Sequence, residues 1–435
     1  MSILAPSTSI ADAFSSLLIG DIPFRFTAYD GSAAGPDDAP FGLHLRNERG
    51  LAYLVTAPGD LGLARAYVMG DLEIVGAHPG DPFEALSFIK GSSTGLKFRT
   101  PTPLEAIALL RTFVGNLGVA NLKPPPVPAQ EHAPRWRRMM DGFLHSEDRD
   151  AEAIHHHYDV SNRFYELVLG PSMSYTCACY PSADATLEEA QFHKYDLVCR
   201  KLGLEPGQRL LDVGCGWGGM VRHAVRHFGV TAVGVTLSAE QAAWAQDRIK
   251  EEGLDDRAEV RHLDYRHVTE DDFDAVSSIG LTEHIGVEHY ADYFGFLRDR
   301  LKPQGRLLNH CITRQHNRKE ATGAFIDRYV FPDGELTGSG RIIAEIQDAG
   351  LEVQHEENLR MHYARTLAGW NKNLVDNWDA CVAEVGEETA RVWGLYMAGS
   401  QMGFETNEVQ LHQVLATRTD ADGASGYPLR HTFGV

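Results

Sequence analysis

The pattern of hydrophobic and polar positions differs between the N-terminal part of this chain and the rest. In the N-terminal part, apolar residues at 41, 43 and 45 alternate with polar ones, which predicts a half-buried strand. Residues 51–56 are the predicted hairpin partner of that strand. A threonine, a proline and a glutamate within residues 102–105 predict the start of a helix that ends near Gly118. Together these elements predict a small α+β accessory domain over residues 1–122.

The clustered prolines of residues 123–134 predict a semi-rigid linker. A second pattern of hydrophobic positions begins after it. Apolar strands then alternate with helical stretches through residues 135–435. The predicted helices span residues 187–203, 219–227 and 239–252, and the predicted strands span 209–213, 231–235, 258–263, 274–280 and 305–312. This alternation is typical of a doubly wound, Rossmann-like α/β domain with a parallel sheet and helices on both faces. Residues 351–355 and 409–417 predict an antiparallel pair of strands at one edge.

Composition narrows the classes of protein. The chain has 435 residues, which favours two domains, and its net charge of −20 argues against a nucleic-acid partner. No apolar run reaches the roughly 18–20 residues that span a bilayer, and no basic stretch precedes the first apolar residues, so we expect a cytoplasmic protein. The six cysteines form no C-x-x-C pair, and the consecutive histidines 155–157 cannot converge on one ion, so no metal site is expected.

A glycine-rich loop at residues 211–219 is the strongest local signal for a ligand. A buried strand that ends in glycines is typical of nucleotide sites at the carboxyl edge of a sheet. In dinucleotide-binding folds the next strand usually ends in an acidic residue. Here that strand ends in Thr236 and Leu237, neither of which is acidic, and the acidic Asp264, with Tyr265, follows the third strand instead. This pattern favours S-adenosylmethionine. Gln241 lies three residues after a serine, so it either caps a helix or contacts the cofactor.

Short motifs of the second domain occur in a characteristic order. They are His157-Tyr158-Asp159 with Asn162, Tyr175-Thr176-Cys177, the glycine loop, Val235-Thr236-Leu237-Ser238, Asp264-Tyr265-Arg266, Glu283-His284-Ile285-Gly286, His310-Cys311-Ile312, Tyr329-Val330-Phe331-Pro332-Asp333-Gly334, and His362-Tyr363 with Thr366-Leu367 and Trp370. In this order they resemble the cyclopropane-fatty-acyl-phospholipid synthase and mycolic acid cyclopropane synthase family. The resemblance implies a class I methyltransferase that uses S-adenosylmethionine to convert the double bond of unsaturated phospholipid acyl chains into a cyclopropane ring.

The same resemblance implies two sets of site residues. A bicarbonate ion is expected beside the methyl-transfer centre, held by Cys177, Glu283, His310, Ile312 and Tyr363, with the cysteine and isoleucine contributing through their backbones. Contacts with S-adenosylmethionine are expected from Tyr175, Thr176, Gly214, Gly216, Thr236, Leu237, Gln241, Asp264 and Tyr265. Thr176 replaces a more usual serine and keeps the hydroxyl, while Cys179 replaces a commoner aromatic residue, which implies a small change in pocket shape.

The chemistry explains why such residues are needed. An alkene must attack the sulfonium methyl with its π electrons, and the resulting carbocation must lose a proton from the new methyl group before the ring closes. Glu283 is expected to orient bicarbonate as the base, and direct deprotonation by Glu283 is the alternative. Structural interpretations also stay open: His310 as a core histidine, Tyr363 as part of a packed helix face and Cys177 as a small buried hydrophobe.

The resemblance and the charge of one segment also lead us to expect particular partners and leave two alternative functions open. The expected partners are unsaturated phospholipid acyl chains and, transiently, the inner face of the membrane, and a homodimer is compatible with the resemblance. The basic and aromatic segment 135–140 suits an anionic interface, or it is simply a solvated helix start. The nearest rival is a fatty-acyl C-methyltransferase that leaves a methylene or methyl branch. A non-catalytic lipid-binding protein is the second rival, and the presence of Glu283, His310 and Tyr363 argues against it.

Overall fold

The chain divides by compactness into two units. The computed structural model describes residues 9–20, 22–91, 102, 112, 115, 124–132, 161–318, 320–332 and 334–433. The first unit comprises Met1–Ala133, Gly323–Val330 and Leu374–Met402, and the second comprises Pro134–Thr322, Phe331–Asn373 and Gly403–Val435. The break after Ala133 falls within the predicted linker. The division departs from the predicted continuous domain 135–435, because two later segments belong to the first unit.

A small mixed sheet organises the first unit. Its strands are β1 (Arg25–Ala28), β2 (Ala33–Ala34), β3 (Gly42–Leu45) and β4 (Leu72–Val75), in the order β2-β1-β3-β4. Helices of this unit are Ile10–Leu17, Glu48–Thr56, Asp60–Val68, Phe83–Gly91, Ala324–Tyr329 and Trp378–Val385. The later segments join the unit through packing: the ring of Trp378 lies edge-on to His78, with 5.1 Å between centroids. The unit is α+β, as the sequence predicts for this region.

Residues 51–56 form a helix, so the prediction of a hairpin strand there is wrong. Asn47 caps helix Glu48–Thr56, because its side chain accepts a hydrogen bond from a backbone N–H of the first turn. Leu51 and Leu54 lie three residues apart, a spacing that suits one helix face as well as a strand run. The antiparallel partner of β3 is instead β4.

The second unit contains a seven-stranded sheet within the described residues. Its strands are β5 (Arg209–Val213), β6 (Thr231–Thr236), β7 (Ala258–His262), β8 (Phe273–Ile279), β9 (Leu301–Thr313), β12 (Glu352–Asn358) and β13 (Gln410–Thr417). Between β9 and β12 along the chain, β10 (Glu320–Ala321) and β11 (Glu335–Leu336) pair as a separate antiparallel ribbon. The order is β12-β13-β9-β8-β5-β6-β7, and β5 to β9 pair in parallel. As predicted, β12 and β13 form an antiparallel pair at one edge.

Helices cover both faces of this sheet, which confirms the doubly wound α/β prediction. One buried apolar cluster joins the sheet to helices Leu187–Leu202, Gly219–Phe228 and Ala239–Glu251. A second cluster joins the opposite face to helices Tyr290–Arg300 and Ser339–Asp348. The other helices described for this unit are Asn162–Leu169, Thr282–Ile285 and Arg360–Asp376, with 3-10 turns at Tyr265–His267 and Val287–His289. Helix Glu387–Glu405 belongs to the first unit as far as Met402.

Helix Leu187–Leu202 begins and ends as its sequence predicts. Thr186 and Glu189 form a reciprocal capping box, and Gly203 ends the helix in the left-handed conformation. The helix predicted to begin at residues 102–105 lies largely outside the described residues. Across the described ranges, no helix has both the length and the apolar character that a bilayer crossing requires.

Candidate active site

A pocket opens at the carboxyl end of β5, where the sequence predicts the cofactor. Tyr175, Thr176, Gly214, Gly216 and Gln241 all contribute to its lining. The other lining residues are Met173, Ser174, Lys194, Tyr195, Asp212, Cys215, Trp217, Gly219, Met220, Ile279 and Gly280. Five of the nine predicted cofactor residues therefore surround one cavity.

The glycine loop needs glycine for its backbone shape. Gly214 and Gly216 have φ angles of +76° and +53°, a region that other residues rarely adopt. A Cβ atom at Gly214 would lie 3.0 Å from the Cβ of Leu281, whereas one at Gly216 would meet no described atom within 4 Å. The loop therefore leaves open space beside Gly216 for a ligand.

A buried lysine holds the wall of the pocket opposite the loop. Lys194 is 0% exposed, and its Nζ donates hydrogen bonds to Ser174 Oγ at 2.6 Å and to Thr176 Oγ1 at 2.9 Å. Gln191 Nε2 donates to the backbone oxygen of Thr176 at 3.0 Å. Thr176 is thus fixed from both its side chain and its backbone before any ligand binds.

Asp212 is a second buried charge-bearing group in the lining. Burial raises the pKa of its carboxyl to about 6, although a hydrogen bond from Ser277 and the nearby Lys194 oppose that rise. Ser277 Oγ donates to Asp212 Oδ1 at 2.6 Å. Lys194 and Asp212 are therefore each hydrogen-bonded to neighbouring hydroxyl groups.

Gln241 turns its side chain towards the pocket. Thr236 Oγ1 donates to Gln241 Oε1 at 2.9 Å, while the backbone N–H of Gln241 donates to Ser238 Oγ at 3.2 Å. Ser238 therefore caps helix Ala239–Glu251 by accepting that N–H, and the side chain of Gln241 is directed elsewhere. This arrangement favours the cofactor interpretation of Gln241 over a reciprocal capping box.

The other predicted cofactor residues lie at the ends of neighbouring strands. The backbone oxygen of Leu237 lies 3.1 Å from His262 Nε2. Asp264 accepts hydrogen bonds from Arg266 on both carboxylate oxygens, at 2.9 and 2.6 Å. Tyr265 packs edge-on against Tyr293, with 5.2 Å between ring centroids. Thr236 contacts the pocket residue Gln241. The cofactor roles of all nine residues stay predictions.

Glu283 lies where β8 has ended and β9 continues. The last ladder bond runs from the Gly280 N–H to the His310 oxygen at 2.8 Å, and beyond it the Ile312 N–H donates to Glu283 Oε1 at 2.9 Å. The Glu283 carboxylate thus accepts a β9 backbone hydrogen bond at a position where β8 no longer offers a carbonyl oxygen. Burial raises the pKa of Glu283 to about 7, and Oε2 is buried with no hydrogen-bond partner among the described residues.

His310 is buried two residues before Ile312 on β9. Its Nδ1 lies 3.1 Å from Gln413 Nε2, and Gln413 is its register partner on β13. Its Nε2 is buried and lacks a partner in the described part of the chain. Burial, together with the nearby Lys194 and Lys201, holds the pKa of His310 well below its ordinary value, so the ring is neutral.

Cys177 and Tyr363 meet at the backbone oxygen of Leu359. The Sγ of Cys177 lies 3.8 Å from that oxygen, and the Tyr363 N–H donates to it at 3.1 Å. The Leu359 N–H in turn donates to the oxygen of Leu411, which is the register partner of Ile312. A short backbone path therefore links the two residues to the Glu283–Ile312 contact.

Aromatic side chains enclose this region. Tyr175 lies 5.4 Å from Trp370 and 6.5 Å from Phe331 between ring centroids, and Trp370 lies 6.1 Å from Tyr363. Trp370 is fully buried. These rings form an apolar wall, which we call the aromatic wall (Tyr175, Phe331, Tyr363 and Trp370).

The site residues that sequence reasoning missed are mostly polar groups supplied by one helix. Gln191, Lys194 and Lys201 lie on the buried side of helix Leu187–Leu202 together with Ala190 and Leu197. Polar residues at helical spacing among apolar ones were a readable signal, because a buried amine must have partners. Gln413 gave no such signal, since it meets His310 only through the pairing of β9 with β13.

Two motifs fall outside the described residues: the His-Tyr-Asp motif at 157–159 and the basic segment 135–140. Among the residues that are described, no group of three or more histidine, cysteine, aspartate or glutamate side chains is arranged to hold a metal ion. The roles assigned to Cys177, Glu283, His310, Ile312 and Tyr363 stay predictions.

Comparisons with known proteins identify a family. A model of the mycolic acid cyclopropane synthetase family matches residues 145–414. A probable fatty acid methyltransferase of Mycobacterium tuberculosis is 62% identical over 412 residues, 94% of this chain and 95% of that protein. The cyclopropane-fatty-acyl-phospholipid synthase of Escherichia coli K12 is 36% identical over 267 residues, 61% of this chain and 68% of that protein. A solved structure of a mycolic acid cyclopropane synthase complexed with SAH and CTAB gives a TM-score of 0.58 at 33% identity, over 63% of this chain and 99% of that one.

Proposed function

The chain belongs to the mycolic acid cyclopropane synthetase family of S-adenosylmethionine-dependent methyltransferases, and we propose that it adds the methyl carbon to the double bond of unsaturated phospholipid acyl chains and closes a cyclopropane ring. The observation that carries this proposal is the buried Glu283: its pKa of about 7, and an Oε2 atom that has no hydrogen-bond partner among the described residues, suit the removal or orientation of a proton at neutral pH. A buried carboxyl of this kind, close to a cofactor pocket, is typical of catalytic sites.

The two unsatisfied atoms fit a bicarbonate ion. Glu283 Oε2 can accept a hydrogen bond, and the neutral ring of His310 can donate one from Nε2. Bicarbonate has both a hydroxyl hydrogen, which it can donate to Glu283, and acceptor oxygens, so that a proton lies between the two anions, and when bound it would supply a base. Glu283 would then hold that base in place. Direct proton removal by Glu283 is compatible with the same pKa, so the two roles are alternatives.

The side chains around the centre have complementary tasks. S-adenosylmethionine would supply an electrophilic methyl carbon: the π electrons of the alkene would form the new bond to it as its bond to sulfur breaks and S-adenosylhomocysteine leaves. The aromatic wall is an apolar surface that would exclude water, and an aromatic ring face beside the electron-poor carbon would stabilise it by about 0.5–2 kcal/mol. The held Thr176 and the Gly214–Gly216 turn keep the cofactor side of the reaction fixed, so that the reacting carbons stay aligned.

A second candidate is a fatty acid C-methyltransferase, favoured by the name of the relative that is 62% identical. The same carbocation can undergo a hydride shift before it loses a proton, which leaves a methylene or methyl branch. The residues around Glu283 and His310 serve both outcomes, because both require a base near the cation. The position of the transferred carbon in the product separates the two candidates.

A phospholipid substrate requires contact with a membrane surface, which we include in the proposal. The basic residues of segment 135–140 support it through their charge alone. Flotation of the protein with anionic vesicles at low salt is expected to bring it into the lipid fraction, and uncharged vesicles serve as the control. Recovery only in the protein fraction with both would contradict peripheral binding. The homodimer stays a prediction.

The proposed activity can be tested with purified protein, S-adenosylmethionine, bicarbonate and phospholipid vesicles. We expect release of S-adenosylhomocysteine with vesicles of unsaturated phospholipid and only background release with saturated vesicles of the same head group. Equal release with both would show that the double bond is not the methyl acceptor. No release with either would favour a non-catalytic lipid-binding protein.

A further inference from the structure

A buried ion pair lies behind His310, outside the residues assigned to the reaction. Lys201 is 1% exposed, and its Nζ donates to the carboxylate of Glu357 and to Gln413 Oε1, the latter at 2.7 Å. Gln413 Nε2 then faces His310 Nδ1 at 3.1 Å. A continuous path therefore runs from the partly exposed Glu357 through Lys201 and Gln413 to the ring of His310.

The polarity of this path follows from which atoms can donate. A lysine ammonium has donors only, so the Gln413 atom beside Lys201 must be the amide oxygen. The other end of the amide is then its NH₂ group, which also only donates. His310 Nδ1 must accept that hydrogen bond and therefore carries no proton. Since the ring is neutral, its proton is on Nε2.

From this geometry we infer that Lys201 and Gln413 are positioning residues that fix His310 as the Nε2–H tautomer and thereby present a hydrogen-bond donor to the reaction centre. The opposite tautomer would place two N–H groups against each other in a buried site, at the cost of two unmade hydrogen bonds. Only the use of this donor, to hold an acceptor oxygen of bicarbonate beside Glu283, rests on the proposed function.

The two buried atoms that lack a partner among the described residues, His310 Nε2 and Glu283 Oε2, therefore have opposite hydrogen-bonding roles. Nε2 of His310 becomes an obligatory donor, while Oε2 of Glu283 is the acceptor that remains after Oε1 has taken the Ile312 N–H. A ligand with an O–H and an oxygen acceptor satisfies both atoms. A ligand with donors only, such as ammonium, leaves Nε2–H unpaired, so this arrangement favours a ligand that also carries an acceptor oxygen, as bicarbonate does.

The tautomer can be measured directly by nitrogen-15 NMR of the full-length protein labelled at histidine, with His310→Gln used to assign the signals. We expect wild-type His310 to carry its proton on Nε2. In Gln413→Glu, a carboxylate can accept from Lys201 and from His310 together, so the proton should appear on Nδ1. Gln354→Glu, a glutamine on the adjacent strand β12 that donates to Thr417, is the matched control and should leave the His310 signals unchanged.

A proton on Nδ1 in the wild type, or a proton that stays on Nε2 alone in Gln413→Glu, would overturn the inference. If Gln413→Glu does not fold, the wild-type spectrum still decides, together with Lys201→Arg, which should keep Nε2–H, and Lys201→Met, which should give a mixture because the amide is then free to flip.

Kinetics separate this inference from the proposed function. Gln413→Glu should raise the bicarbonate concentration for half-maximal turnover at least tenfold, while the dissociation constant for S-adenosylmethionine stays within twofold of wild type. An unchanged bicarbonate requirement in a variant with the inverted tautomer would contradict the use of the donor. Absence of any methyl transfer with the proton on Nε2 would overturn the proposed function and still support the tautomer assignment.

Discussion

The proposed cofactor pocket and reaction centre both receive contacts from helix Leu187–Leu202, through lysines that lie seven residues apart. The two sites differ in whether their polar groups have hydrogen-bond partners. In the pocket, Lys194 satisfies Thr176 and Ser174, and Thr236 satisfies Gln241. At the reaction centre, Lys201 acts through Gln413 and leaves the far nitrogen of His310 without a partner in the described chain. Within the described residues the polar side chains named for the pocket are paired with one another, whereas at the proposed centre we expect a ligand to supply the missing partners.

This difference in hydrogen-bond pairing affects the stability of the fold. A buried polar atom without a partner costs about 1–3 kcal/mol of stability, so Glu283 and His310 together weaken the fold until a ligand satisfies them. That cost is typical of sites where binding and chemistry take precedence over stability. Substitutions in the two regions should therefore have different signatures: lost affinity in the pocket, and lost turnover with gained stability at the centre.

The largest effect is expected from Glu283→Ala. Turnover should fall roughly 10²–10⁴-fold, because no carboxylate remains to orient or remove the proton, while affinity for S-adenosylmethionine stays close to wild type. Turnover assays and calorimetric titration with the cofactor measure the two quantities. Glu288→Ala, which changes an exposed glutamate five residues further along, is the control and should behave as wild type. Normal turnover in Glu283→Ala would remove this residue from the mechanism.

A smaller effect is expected on stability from Glu283→Gln in the absence of ligand. The carboxyl has a pKa of about 7 in the folded protein against an ordinary value of 4.5, so the folded chain binds the proton more tightly than the unfolded chain. The wild-type free energy of unfolding therefore falls as pH rises from 4.5 through 7, and glutamine escapes this loss. Relative to wild type, the variant should gain roughly 2–3 kcal/mol between pH 5 and pH 8 in urea unfolding. A difference that does not change with pH would show that Glu283 is charged in the folded protein.

The smallest effect is expected in the pocket from Thr176→Val. Valine keeps the shape but removes the hydroxyl that accepts from Lys194, so a buried ammonium donor loses a partner next to the cofactor. Affinity for S-adenosylmethionine should fall about tenfold, which corresponds to about 1.4 kcal/mol. Thr176→Ser keeps the hydroxyl and should retain wild-type affinity in the same titration. Equal weakening by both substitutions would mean that shape, and not the Lys194 contact, controls binding.

The sequence predicted the parts of the molecule that depend on local pattern. The glycine loop, the helix predicted over residues 187–203 and the alternation of strands and helices in the second unit each carry a strong short-range signal, and the structure confirms those elements. Residues 51–56 were misassigned because a short apolar run fits a strand or a helix, and Asn47 decides between them by capping.

The candidate site was predictable only where a motif marks it. The contact of Glu283 with the Ile312 N–H agrees with the grouping that the resemblance implies. The Lys201–Gln413 contact was not predictable, because the two residues are 212 positions apart and meet only through strand register. Buried lysines on an apolar helix face were visible in the sequence, but their partners were not.

The transfer itself is tested most directly by following the carbon. Purified protein is incubated with S-adenosylmethionine labelled with carbon-13 at the methyl group and with vesicles of an unsaturated phospholipid, and the acyl chains are examined by NMR. We expect the label as the ring methylene of a cyclopropane within the chain. Label in a methyl or exocyclic methylene branch would replace ring closure by the second candidate function, and acyl chains without label would contradict the account as a whole.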